Sequence, residues 1–134
     1  MTNLPIPVDP PQMLRSSAFA QGMIAPAGRT LYVGGQNGID ASGTLLDGLA
    51  AQTEQAMRNV LAVLAEAGTD PEHVAKLTIF LAAGEDAQAG YEAAFSVWGD
   101  RRAAITVVAV MPARPGVLVE IEAIATIPEP GEHG

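Results

Sequence analysis

The sequence predicts an α+β domain on three observations: two stretches of helical periodicity, short β-branched runs around them, and Gly or Pro at most of the junctions. The order along the chain is β-β-α-β-α-β-β, a mixed sheet with two helices on one face. At 134 residues the chain fits one domain spanning 1–134, since single cores commonly organise about 100 to 150 residues.

Residues 1–14 carry Pro5, Pro7, Pro10 and Pro11, which remove backbone donors and favour extended or turn backbone, so they read as an extended leader on the surface. Residues 18–24 are mostly apolar. Pro26, Ala27 and Gly28 then supply a turn before the β-rich Thr30, Leu31, Tyr32 and Val33, and the two runs predict an opening hairpin. Gly34 and Gly35 end the second run, where absent side chains let another backbone or a ligand approach. Asn37, Gly38 and residues 40–43 are loop signals.

Asp47 stands where it can cap a helix running to about residue 67, stopped by Gly68. Thr53, Met57, Val60, Leu61 and Leu64 share one face of that helix, with Gln52, Gln55, Arg58, Asn59 and Glu66 pointing elsewhere. Thr69, Asp70 and Pro71 predict one short turn before an apolar strand over 74–82, in which Lys76 is the only charge. A second amphipathic helix over 84–98 places Ala87, Tyr91, Ala94, Phe95 and Trp98 on one stripe and ends at Gly99. Residues 103–111 form an almost unbroken apolar strand. In 117–127, Val119, Ile121 and Ala123 alternate with Glu120, Glu122 and Ile124. Residues 128–134 read as a frayed tail.

Only 4% of residues are aromatic, so the core must be mainly aliphatic. Strands apolar on both sides need a cover that a chain this short cannot supply, which predicts sheet-face packing between copies. Seven basic against fifteen acidic residues, a net charge of −8, disfavour nucleic acid and anionic membranes as partners. The absence of Cys excludes disulfide and thiolate chemistry, and His73 and His133 cannot assemble a metal site by themselves. His73 reads as exposed beside the short turn. No targeting or spanning segment stands out, so the cytoplasm is the expected compartment.

Three stretches in order resemble the RidA/YjgF family: Val33, Gly34, Gly35, Gln36; then Arg102 through Val108; then Val119 through Ala125. The resemblance spans roughly residues 18–127. It implies a chorismate-mutase-like fold, a homotrimer with clefts between subunits, and hydrolysis of small enamines or imines to 2-ketoacids and ammonia with no metal or organic cofactor. The same family has carried the endoribonuclease L-PSP label, which the acidic charge and the lack of paired histidines disfavour here.

The resemblance gives Arg102 as the residue that pairs with a substrate carboxylate, a task its planar guanidinium suits. Taken alone, it would be a solvated arginine at a strand start. Arg101, next to it, should face the other way and lie on the surface. Glu120 matches the family acid that orients or activates water. Periodicity cannot separate it from Glu122, which shares its strand face. Gly34 and Gly35 match a cleft-lining backbone, with a turn or bulge as the plain alternative. Phe19, Tyr91 and Ala104 fall on the cleft wall but depart from the family pattern, and Phe19 lacks a hydroxyl the family's tyrosine has. The resemblance therefore implies an imine or enamine deaminase for a small carboxylated compound. The alternative is a non-catalytic, ligand-binding or regulatory trimer.

Overall fold

Residues 3–129 are described by the computed structural model of this chain, so His133 and the expected tail beyond Glu129 lie outside the described residues. The elements run β1 (Ile6–Val8), β2 (Gly22–Ile24), β3 (Arg29–Gln36), α1 (Leu49–Glu66), a 3-10 turn (Pro71–His73), β4 (Val74–Ala82), α2 (Ala87–Trp98), β5 (Ala104–Val110) and β6 (Val119–Ile127). The main sheet has the order β3-β6-β4-β5. β6 runs antiparallel to both β3 and β4, and β5 is parallel to β4. Parallel neighbours need a crossover, and α2 supplies it. The architecture is thus the α+β class with a mixed sheet and two helices.

The opening hairpin does not form. β2 pairs with β1, in the register Ile6 to Ile24 and Val8 to Gly22, while β3 joins β6. Gly28, at a φ of 138°, redirects the chain between β2 and β3. Val33 can then enter the core beside Ala123, a burial worth about 1.5–3 kcal/mol for a side chain of this size. Pro7 is tolerated in β1 because a short ribbon at an edge loses little from one missing donor.

Met57, Val60, Leu64, Leu77, Trp98, Val119 and Ile121 are fully buried where the helices meet the sheet, an aliphatic core with a single tryptophan. Gly90 lets α2 approach the sheet, since an ideal Cβ there would lie 3.3 Å from Leu81. The opposite sheet face is mixed. Lys76, Thr78, Phe80, Glu120, Glu122 and Ile124 are partly exposed there, and Tyr32 is 73% exposed.

Helix boundaries differ from expectation at the N-termini. Asp47 is not the cap of α1; the helix enters from Gly48, at a φ of 90°, without a side-chain cap. It ends at Gly68, at a φ of 84°, as the C-terminal glycine signal predicts. α2 starts at Ala87 because the Asp86 carboxylate accepts from the Gln88 and Ala89 amides.

Gln52 is the larger correction. It is 2% exposed: Nε2 donates to the Leu46 and Gly116 carbonyls at 3.0 and 2.9 Å, and Oε1 accepts from the Leu118 amide at 2.8 Å. Asn59 likewise donates to the carbonyls of Asn37 and Ile39. The polar side of α1 therefore fastens the loop after β3. His73 is also buried, at 5% exposure, with Nδ1 2.8 Å from Asp70 Oδ1, because the 3-10 turn folds the ring back onto its cap.

Candidate functional site

Two side chains at successive positions just before β5 point in different directions. Arg101 turns toward α2, where its guanidinium lies 5.9 Å from the Trp98 ring centroid and Nε donates to Glu72 at 2.9 Å. Arg102 turns toward the N-terminal segment. Its Nε donates to the Ser16 carbonyl at 3.0 Å, and Nη2 donates to the Phe19 carbonyl at 3.0 Å and to Asp9 Oδ1 at 2.8 Å. The two side chains are 16% and 8% exposed, so this ion pair is well sheltered. Oδ1 of Asp9 also accepts from the Gln21 amide at 3.2 Å, and Arg15 lies 3.4 Å from Oδ2. The Arg102 hydrogen bond holds the Asp9 carboxyl below its ordinary value of 3.8; the Gln21 amide and the charges of Arg102 and Arg15 add to this, and partial desolvation opposes it.

The segment carrying Phe19 reaches this place by docking on β5: the Ala20 amide donates to the Ala103 carbonyl at 2.9 Å, and Ala20 bridges Ala104. The Phe19 carbonyl touches Arg102, and Phe19 also lines a chamber of about 610 Å³ with Tyr91, Phe95, Ile105 and Val107, edged by Gln88 and Glu92. Tyr91 and Phe95 stack with centroids 6.3 Å apart. Phe19 and Tyr91 thus share one wall system next to the arginine. Ala104 sits opposite Lys76 in the β4–β5 ladder and does not line that chamber.

Glu120 belongs to a different neighbourhood. Its Oε1 accepts from Asn37 Nδ2 at 3.0 Å. The register between β3 and β6 slips between Val33 and Gln36, so Gly34 and Gly35 form a bulge. An ideal Cβ on Gly35 would lie 2.7 Å from Glu120 Cδ, whereas one on Gly34 would meet nothing within 4 Å. Glu120 and Glu122 both border a cavity of about 240 Å³ with Phe80, Val110 and Met111, yet only Glu120 is held by a side-chain amide.

The two predicted catalytic residues do not meet within one chain. The ladder sets Glu120 opposite Phe80 and Phe80 opposite Val108. Arg102 lies six residues before Val108, which places the two on the order of 20 Å apart at normal strand dimensions. Among the described residues, no three His, Asp or Glu side chains cluster as metal ligands, and no helix is long and apolar enough to cross a membrane. The sequence reading missed Asp9 and Asn37. Asn37 stood only as a loop residue, and Asp9 as a charge in a proline-rich leader, with no spacing to mark its partner.

Residues 12–127 match the Endoribonuclease L-PSP family. A 2-iminobutanoate/2-iminopropanoate deaminase from Homo sapiens is 36% identical over 82% of this chain and 86% of its own length. The protein of the same name from Capra hircus is 38% identical over the same shares. A crystal structure of a conserved Rid-family protein, YyfB from Yersinia pestis, superposes with a TM-score of 0.81 at 30% identity, covering 92% of this chain and 98% of that one.

Proposed function

This chain belongs to the Endoribonuclease L-PSP (RidA/YjgF) family, and on that footing we propose that it hydrolyses the imine or enamine of a small carboxylated compound to a 2-ketoacid and ammonia. The observation that carries the reading is Arg102: three hydrogen bonds hold its guanidinium, one of them to the carbonyl of Phe19, which itself lines the chamber shared with Tyr91. A held cation joined through Phe19 to an apolar chamber suits a small anion with an apolar part. The relatives named as deaminases point to the same chemistry.

Glu120 supplies the second function. It takes a proton from water as the oxygen attacks the imine carbon and the C=N π pair moves to nitrogen; Glu120 returns that proton and then the adduct hydroxyl's proton to the nitrogen, so that the C=O bond forms as the C–N bond breaks and ammonia leaves. No metal or organic cofactor is needed for that step. Because Arg102 and Glu120 lie on the order of 20 Å apart in one chain, we assign the complete site to a cleft between two copies. Arg102 comes from one copy and Glu120 from the other, in a cytoplasmic homotrimer. The mixed face around Phe80, Ile124 and Tyr32 is the surface such packing would cover.

The test generates 2-iminobutanoate in solution and follows 2-oxobutanoate release by wild type, Arg102→Ala and Glu120→Gln, alongside the molar mass by sedimentation. Turnover that both substitutions abolish, in a trimer, supports the reading; equal rates for all three proteins, or a monomer with full activity, defeat it. A second reading, a trimer that binds 2-ketoacids without turnover, draws on Phe19 and Tyr91, which line the chamber and depart from the family pattern. Calorimetric binding with no turnover of any imine would select it.

A further inference from the structure

We propose that Asp9 is a positioning residue that, together with the Ser16 and Phe19 carbonyls, closes both forked faces of Arg102 and leaves a ligand only Nη1. The inference rests on the carboxylate-binding reading of Arg102 and adds a specificity to it. A guanidinium has five N–H donors. Here Nε is taken by the Ser16 carbonyl, and the two hydrogens of Nη2 by the Phe19 carbonyl and Asp9. The remaining two sit on Nη1. None of these three hydrogen bonds uses that atom.

A carboxylate can grip a guanidinium with two nitrogens in two ways, across Nε and Nη2 or across Nη1 and Nη2. Both need Nη2. With Asp9 and the Phe19 carbonyl in place, a ligand is limited to one nitrogen, and its negative charge meets the Asp9 charge just across the guanidinium. Asp9 does not swing aside by side-chain rotation alone without losing the Gln21 amide, and its neighbour Val8 is fixed opposite Gly22 in the β1–β2 ribbon. The site therefore holds a carboxylate weakly, and favours it over an uncharged carbonyl analogue less than a free arginine fork would.

The measurement is equilibrium binding of 2-oxobutanoate and of its neutral amide, 2-oxobutanamide, by calorimetry to wild type, Asp9→Asn, Asp9→Ala and Arg102→Ala. Asp9→Asn keeps an acceptor for Nη2 but removes the charge, and should tighten 2-oxobutanoate several-fold. Asp9→Ala also frees the fork, with a gain on the order of tenfold for a like charge removed at this range. Amide binding should stay level in both, a pattern that general loosening of the fold would not produce. Melting curves establish that each variant is folded, and Asp9→Asn carries the test if Asp9→Ala is not. Tightening of the acid alone supports the proposal. Acid binding that is unchanged, weakened or undetectable in Asp9→Asn overturns it while leaving Arg102 in place. If Arg102→Ala binds the acid as wild type does, the carboxylate reading itself falls.

Discussion

The carboxylate of Glu120 fills the space that a side chain on Gly35 would need: an ideal Cβ there would stand 2.7 Å from Cδ and 2.9 Å from Cγ of Glu120. Neither glycine of the bulge has a positive φ, so the demand at Gly35 is for room and not for backbone freedom. Gly35→Ala should push the Glu120 carboxylate from Asn37 and lower kcat for imine hydrolysis by roughly tenfold or more, since small misplacements at reacting groups are costly. Gly34→Ala, with open space around its Cβ, should keep near-wild-type rates. Comparable losses from both changes would contradict the packing argument.

Glu120 and Glu122 share a sheet face and differ in what holds them. Asn37 fixes one oxygen of Glu120, while Glu122 stands opposite Thr78. Glu120→Gln should lower kcat by about 10²- to 10⁴-fold, the usual worth of a positioned acid or base. Glu122→Gln should cost a few-fold at most, and Asn37→Ala should fall between them. Steady-state kinetics on one imine ranks all three, and the reverse order of the two glutamates would move the assignment to Glu122.

Gln52 joins α1 to the chain before it and to the approach to β6 through three hydrogen bonds to backbone groups. Truncation strands two carbonyls and an amide. Gln52→Ala should therefore destabilise the protein by about 3 kcal/mol, as expected when buried partners are left unsatisfied. Urea unfolding at one fixed protein concentration measures it, because self-association adds to apparent stability. Gln52→Glu keeps acceptors but loses both donors, and should not rescue the loss.

Acid should weaken the fold through two aspartates. The carboxyl of Asp9 is lowered from 3.8 chiefly by the Arg102 hydrogen bond, and that of Asp40 chiefly by the Ser42 hydroxyl, 2.6 Å away. A group with a depressed folded-state pKa contributes stability above its unfolded value and loses it as pH falls through the folded one. Melting temperature should be level above about pH 5 and drop below about pH 4, with the drop reduced in Asp9→Asn and in Asp40→Asn. A variant with the acid-side slope of wild type would remove that aspartate from the account.

Local pattern was enough for β4, which runs over the predicted residues 74–82 because an apolar run bounded by a turn and a glycine has one simple reading. It was also enough for the stop of α1 at Gly68 and of α2 at Gly99, both at positive φ. Pattern failed where a polar side chain answers a distant backbone. Helical periodicity points Gln52 away from the apolar stripe and names no partner for it, and its partners at 116 and 118 lie more than 60 positions away. The predicted hairpin failed for a related reason: the run of residues before Pro26 says that a strand exists, not that its neighbour is β1.

The sequence by itself determined the α+β class, the aliphatic core, the acidic character and, through three motifs in order, the family, and it nominated Arg102 and Glu120 as candidates. Periodicity and turn chemistry act within a few residues, so such features are written locally. Only the tertiary structure decided that Glu120 and not Glu122 is held by Asn37, that Gly35 makes its room, and that Asp9, 93 positions from Arg102, occupies the guanidinium. Hydrogen bonds and excluded volume depend on where folded segments meet, and no spacing along the chain records that meeting.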